Sequence, residues 1–410
     1  MFDPYKIRQD FPMFKNKIQM QGHDLVFLDN ASTTFKPQCV IDAMNYYNEH
    51  ETANSSRGDY DTMYHVDQRV QKTRKLVADF INAEVDEIVF TSGDTESLNL
   101  VAFGYFENHL KKDDEILITV AEHASNTLPW YKLQERIGCK VKFIPLTEEG
   151  RLTIENVEKS ITKKTKVISV ANVTNVLGFY TDMKPICDLA HKYGVLVVCD
   201  GAQSVPHGKT DVKALGLDFL GFSGHKMLGP TGIGVLFGRK ELLAETQPLL
   251  FGGGMNEVFE TDGSYVLHDA PAKLEGGTKN IQAIYGLGAA IEYIDKLGLE
   301  NNSKYEKELR AYALAKMKEI KDIIIYNKNA EAGIISFNVK GVFAQDLATL
   351  LNSKGIAVRS GNHCAKNLKN QIHEIATVRC SFYFYNTKEE IDIFVDALKE
   401  GGNFLDAYFA

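Results

Sequence analysis

The sequence predicts an α/β protein: a large domain on a mostly parallel central sheet flanked by helices, joined to a smaller α+β C-terminal domain. Three observations carry this. From about residue 85 to 240, short β-rich runs alternate with helical patterns, as expected for parallel strands joined through covering helices. "IQAIYGLGAAIEYIDKLG" (281–298) then reads as a long helix with small residues on one face. Beyond it the pattern changes to a charged helix, further strand runs and a last helix, "KEEIDIFVDALKEG". With 410 residues, 44% apolar and 24% charged, the chain can bury a sizeable core.

In order, the first strand-like run is "LVFLDNA", starting at Leu25. "EIVFT" (87–91), "EILITVA" (115–121) and "KVISVANV" (166–173) each precede a helical pattern. "VLVVCD" (195–200), "DFLGFS" (218–223) and "GIGVLFG" (232–238) close the series. In the C-terminal part "GIISFNV" and "IAVRS" read as strands. Residues 25–295 are thus assigned to the large domain, and 1–24 with 296–410 to the small one.

Bulk properties exclude several functions. The formal charge is −8, there is no long basic block and "KKTK" (163–166) is short, which disfavours nucleic-acid binding. "MFDPYKIRQDFPMF" lacks the pattern of a signal peptide, and no apolar run reaches the ~18 residues of a membrane span. The 6 cysteines are dispersed, without a C-x-x-C pair, so neither a disulfide framework nor a zinc site is expected. A reducing cytoplasm fits these thiols.

Ligands of open parallel sheets sit beyond the carboxyl ends of the strands. "EIVF" is followed by Thr91, Ser92, Gly93, Asp94 and Thr95; "ILITVA" by Glu122 and His123; "VISVANV" by Thr174 and Asn175. "VLVVC" is followed by Asp200 and Gln203, and "DFLGF" by Ser223, His225 and Lys226. Each has a bland reading alone: a helix cap, a structural histidine, a surface lysine. Together they bring an anion-binding turn, an imidazole, an amide, a carboxylate and an amine to one rim.

That set suits one cofactor. A lysine near its ordinary pKa of ~10.4 is protonated and inert, but burial or a cationic neighbour makes it a Schiff-base former. Pyridoxal 5′-phosphate needs such a lysine, a carboxylate at its ring nitrogen and a phosphate cradle. Lys226 and Asp200 supply the first two, and His123 is placed to stack on the ring. Gln203 is placed for the ring hydroxyl, and the "TSGDT" turn with Ser223 and His225 for the phosphate.

Beyond this rim, "LDNASTTFKP", "TSGDTESLNLVA", "EHASNTLPW", "DGAQSVPH", "DFLGFSGHKMLGPTGIGVLFG", "EGGTKNIQ", "RSGNHCA" and "RCSFYFYNTKEEID" occur in an order that resembles group II, SufS-type cysteine desulfurases of the class V aminotransferase family. The resemblance covers nearly the whole chain. It implies the PLP fold type I, a homodimer, and conversion of L-cysteine to L-alanine, with sulfur held as a persulfide. That sulfur would pass to an acceptor of the SufE or SufU type for iron–sulfur cluster assembly. Carried over by position, Lys226 is the cofactor lysine, His123 the stacking histidine and Asp200 the ring-nitrogen partner, with Gln203 near the ring oxygen. Ser223, His225 and Thr95 hold phosphate, and Thr278 reaches the phosphate of the other subunit. Asn175 and Arg379 hold the substrate carboxylate, Arg359 lies beside the nucleophile's loop, and Cys364 is the persulfide cysteine.

Cys364 has an address of its own. "RSGNHCAKN" is a small, polar loop with Arg359 and His363 nearby, and positive neighbours favour the nucleophilic thiolate. Cys199 and Cys380 sit in apolar runs and read as core. Read alone, "TVRCSF" is equally a strand with an exposed Arg379, although a planar guanidinium suits a carboxylate. Three positions depart from the family pattern: Ser56 for a histidine, with Arg57 retained; Asp94 for a threonine; and Lys366 for a small or amide residue. Asp94 is expected to turn outward or cap its helix, because a carboxylate would repel the phosphate. The rival readings are a selenocysteine lyase or other lyase of the same fold, and a catalytically idle sulfur-assembly scaffold.

Overall fold

The computed structural model describes residues 2–55 and 59–399. Ser56 and Arg57 lie outside them. Seven strands form the main sheet: β1 (Ile88–Thr91), β2 (Glu115–Ile118), β3 (Lys140–Phe143), β4 (Thr165–Ala171), β5 (Leu196–Asp200), β6 (Phe219–Ser223) and β7 (Gly234–Gly238). Their spatial order is β1-β7-β6-β5-β4-β2-β3. Only β7 runs antiparallel to its neighbours; the other pairs are parallel. The carboxyl ends of β1, β2, β4, β5 and β6 therefore share one rim. β1, β2, β6 and β7 are buried throughout, which is why their sequences are continuous apolar runs rather than alternating ones.

β3, "KVKF", is missing from the sequence reading. It is the edge strand, largely exposed, and lysines on an edge are what keeps it from pairing further. They also hide it from a search for apolar runs.

A second, antiparallel sheet has the order β8-β9-β11-β10, with β8 (Ile323–Ile325), β9 (Ile334–Val339), β10 (Arg359–Gly361) and β11 (Thr377–Ser381). Helices Leu299–Met317, Ala344–Ser353 and Lys388–Lys399 contribute to its core, with Leu309, Leu347 and Phe394 fully buried or nearly so.

Residues 1–24, grouped from sequence with 296–410, touch both parts of the chain: Tyr5 donates to Glu389 and Arg8 pairs with Glu390, each at 2.7 Å. Ile7 and Phe11 pack in the main core, Phe11 against Tyr293, Phe384 and Tyr385. The short strand Val26–Phe27 instead pairs in parallel with Ile356–Ala357. Successive strand side chains point to opposite faces: Val26 and Leu28 enter the second core, while Leu25 and Phe27 pack against the main one. One strand serves both.

Helix Ile281–Leu297 uses its small residues as the sequence suggests. A Cβ on Gly286 would lie 2.5 Å from Cγ of Pro230, so the missing side chain lets the helix close on the loop after Lys226. Among the described residues no helix is long and apolar enough to cross a membrane.

Candidate active site

The rim closes on a cavity of about 230 Å³ whose lining includes Thr95, His123, Asn175, Asp200, Gln203, Ser223, His225, Lys226, Arg359, Cys364 and Arg379. Of the described residues given a cofactor, substrate or catalytic role by the family resemblance, only Thr278 is elsewhere. It is exposed, in a separate depression with Ser92, Glu96 and Gly232.

Lys226 ends a short turn, Gly224–Lys226, directly after β6. The chain then folds back tightly. A Cβ on Gly224 would stand 2.8 Å from Cγ2 of Ile233, and one on Gly234 would stand 2.4 Å from Cα of Gly93. Glycine at 234 thus lets β7 run hard against the turn that opens the next helix. Burial pushes the Lys226 amine below its ordinary pKa; Asp200 and Asp94 oppose that, and Arg379 and Arg359 add to it. The carbonyl of His225 is saturated by Thr34 N, Thr34 Oγ1, Thr33 Oγ1 and Lys36 Nζ at 3.1–3.2 Å, which fixes the residue before the lysine. Burial holds the His225 imidazole down at about 4, so it is neutral at physiological pH.

Asp200 is buried at the end of β5, with Oδ1 accepting from Ala202 N at 3.0 Å. Nδ1 of His123 accepts from Ser125 N at 3.1 Å, which places the ring proton on Nε2, and burial lowers its pKa. The residue before it, Glu122, ties the ends of β2 and β4 together: Oε2 accepts from Ala171 N at 2.9 Å and Oε1 from Thr119 Oγ1 at 2.6 Å. Glu122 therefore positions His123 without entering the cavity. Gln203 donates to the carbonyl of Ala31 at 2.7 Å. Thr95 Oγ1 shares a 2.8 Å hydrogen bond with Ser125 Oγ, and Ser223 Oγ accepts from Asp94 N at 2.9 Å.

The second sheet supplies the mouth. Arg359 and Arg379 are direct cross-strand partners, a like-charge pairing that costs stability. Arg379 is buried, not exposed, with Nη2 on Asp29 Oδ1 at 3.0 Å and on Ser32 Oγ at 2.9 Å. Arg359 reaches the same Ser32 Oγ at 2.9 Å. Asp29 and Ser32 were not singled out from sequence; they follow the run that starts at Leu25, and the strand-end rule extended to that run finds them. Nε of Arg379 and Oδ1 of Asn175 are buried without partners among the described residues.

Cys364 Sγ is exposed and accepts from Arg359 Nη2 at 3.7 Å. His363 and Cys364 both have left-handed backbones, with φ 51° and 59°; such conformations are costly away from glycine. Two strand ends hold the loop in place. Asn175 Nδ2 donates to His363 O at 2.8 Å, and Ala124 N to Cys364 O at 2.7 Å. The expectation that His363 gives the thiol a positive neighbour is not met. Its ring is buried, Nε2 lies 2.9 Å from Thr377 Oγ1, and burial with the two arginines pushes its pKa down to about 3. Arg359 serves that role by direct contact, with Arg379 also within electrostatic reach of the thiol. Cys139, Cys187, Cys199 and Cys380 are buried, and Cys39 is exposed.

Asp94 also departs from expectation. It neither turns outward nor caps: it is the first residue of helix Asp94–Asn99, buried, with no side-chain bond to the helix backbone. Lys366 is exposed.

This donor set fits pyridoxal phosphate. A destabilised amine faces a buried carboxylate, hydroxyls and imidazoles ring the turn before a helix, and Nε of Arg379 and Oδ1 of Asn175 are left unpartnered among the described residues. The sequence profile of the aminotransferase class-V family matches residues 26–394. The chain belongs to this family. It is 41% identical over 399 residues to a probable cysteine desulfurase of Halalkalibacterium halodurans, covering 97% of each chain. It is likewise 41% identical to one from Staphylococcus aureus, covering 100% of this chain and 99% of that one. Among solved structures, the apo cysteine desulfurase of Thermococcus onnurineus superposes with a TM-score of 0.92 at 38% identity, covering 98% of both. The Escherichia coli cysteine desulfurase CsdA, described as carrying an S-sulfonic acid, gives 0.91 at 33% identity, covering 99% of both. In this class V chain the family position Asp94 is thus turned into the cavity and not away from it.

Proposed function

We propose that the protein is a PLP-dependent cysteine desulfurase, converting L-cysteine to L-alanine with the sulfur retained on Cys364. One observation carries the reading: an exposed thiol beside Arg359 stands in the same cavity as Lys226, Asp200 and His123. Names of relatives at 41% identity support it.

The chemistry divides among this chain's residues. Bound pyridoxal phosphate supplies an electron sink for the substrate's α-carbon. Asp200 presents a carboxylate to its ring nitrogen. Arg379 and Asn175 take the substrate carboxylate, with Arg359 beside them, and so orient the amino acid before reaction. Lys226, its charge destabilised by burial, removes the α-proton as a general base. Nε2–H of His123 is a donor poised for proton traffic. Cys364 attacks the substrate sulfur: the S–S bond forms and the C–S bond breaks. The electron pair stays on carbon, which takes a proton to become the methyl group of alanine.

The finer reading is a group II enzyme working as a homodimer in the cytoplasm, supplying sulfur for iron–sulfur clusters through a SufE- or SufU-type acceptor. Exposure of Phe251, Val258, Phe259 and Tyr265 on and beside the hairpin 256–267 supports self-association, as does Thr278 standing outside its own chain's cavity. Six free thiols suit a reducing compartment. The test is alanine and sulfide release from L-cysteine with a reductant. Cys364→Ala should keep the bound cofactor's absorbance and lose sulfide release; sulfur release from L-cysteine at the wild-type rate would reject the reading. Selenocysteine turnover that survives the substitution would identify a lyase instead.

A further inference from the structure

The buried Asp94 is unused by that scheme, and its position is specific. Asp200 and Gly221 are register partners on β5 and β6, so the place where a side chain at 221 would stand is roughly 5 Å from Asp200 across the strands. Asp94 occupies that place: its Oδ1 lies 2.3 Å from where a Cβ on Gly221 would be. That oxygen has no hydrogen-bond partner among the described residues. The glycine in "DFLGFS" is what makes room for a second carboxyl beside the first.

Two carboxyls so placed, out of water, do not both ionise. Asp94 faces Asp200 from its own helix and Lys226 from the turn after β6; His123, His225, Arg359 and Arg379 complete the charged and titratable wall of the cavity. Glu122 lies behind β2 and β4, close enough to Asp200 to interact. Burial, then the charge of Asp200, drives the Asp94 pKa well above the ordinary carboxylate value, while Lys226 draws it back. Within the PLP reading above, on which this rests, a charged Asp94 would also oppose the phosphate held by the turn it belongs to.

We propose that Asp94 is a proton-carrying positioning residue: it shares one proton with Asp200 and acts as donor, so that Asp200 meets the cofactor's ring nitrogen as an anion while the dyad bears a single negative charge. The dyad loses its proton as pH rises, and a second negative charge then weakens cofactor binding.

The test is the pH dependence of pyridoxal phosphate affinity, read by absorbance after reconstitution of cofactor-free protein. Wild type should lose affinity toward alkaline pH, approaching about tenfold per pH unit for one proton. Asp94→Asn keeps a neutral donor of the same shape. It should stay within about threefold of wild type at neutral pH, a fraction of 1.4 kcal/mol, and lack that alkaline fall. Asp94→Thr removes the titrating group with the residue common in the family, and should lack the fall as well. The wild-type-minus-variant infrared difference should show the carbonyl band of a protonated acid. The proposal is overturned if the variants keep the wild-type pH profile, if no such band appears, or if Asp94→Asn loses more than about tenfold in affinity at neutral pH, which would make Asp94 an obligatory anion paired with Lys226. A wild-type protein with no bound-cofactor absorbance would overturn the cofactor reading itself, and this inference with it.

Discussion

At the floor of the cavity Lys226, Asp200 and Asp94 crowd together at the ends of sheet strands and at a helix start, where burial lowers the pKa of Lys226 and raises that of Asp94. At the mouth, Cys364 stands in solvent on a left-handed loop from the second sheet, with a guanidinium as its closest charged partner. The floor gets its chemistry from dehydration, and the mouth from geometry. A proton acceptor needs an environment that changes its basicity. On the function proposed above, a thiol that passes sulfur to an outside acceptor needs exposure, so its activation has to come from placement.

Substitutions can break this contrast. The largest effect is expected at the floor. Lys226→Ala should lower kcat/KM for L-cysteine about a thousandfold or more, as for loss of a nucleophile and base together, and should change the bound cofactor's absorbance. Next is the joint between floor and mouth. Arg379→Gln leaves Asp29 with only Ser32 Oγ as a partner among the described residues and removes a buried charge; loss of one partner of a buried ion pair costs about 3–5 kcal/mol, to be seen as a lower midpoint in denaturant. If stability is unchanged, Arg379 is not the clamp described here. At the mouth, Arg359→Gln should raise KM about tenfold or more, the scale of a charge-assisted hydrogen bond, with cofactor absorbance unaltered. A changed absorbance would mean that floor and mouth are not separable.

The smallest effect concerns His363. Its folded pKa of about 3 lies below the ordinary 6.5, so the folded state holds it neutral while the unfolded chain takes up a proton below 6.5. Its contribution is present above that value and is lost as pH falls toward about 3, with a slope of up to about 1.4 kcal/mol per pH unit. His363→Gln should flatten the acid limb of unfolding free energy against pH by one proton and change little at neutral pH. An unchanged limb would show that the imidazole is hydrated.

The floor was legible in the sequence because each of its groups directly follows an apolar run: Lys226 and Ser223 after "DFLGF", Asp200 after "VLVVC", His123 after "ILITVA". Parallel strands then bring such ends together without further information. The mouth was less so. Cys364 and the arginines were reached largely through family resemblance, because strand register, not spacing, sets Arg359 opposite Arg379. Which way His363 points depends on two residues adopting left-handed backbones, and neither is glycine. The inward turn of Asp94, against the expectation that it points outward or caps its helix, is not legible because nothing in "TSGDTE" announces the vacancy over Gly221, 127 positions away along the chain.

The segment from Leu25 to Leu28, built on the short strand Val26–Phe27 and shared by the two cores, ends one residue before Asp29 and four before Ser32, the two groups that seat Arg379. A displacement of one core against the other is therefore passed to Arg379 through Asp29 and Ser32. On the function proposed above, an amino acid held between Arg379 and Asn175 would add a further stitch to a seam already closed by Arg379 Nη1 on Asn175 O and Asn175 Nδ2 on His363 O.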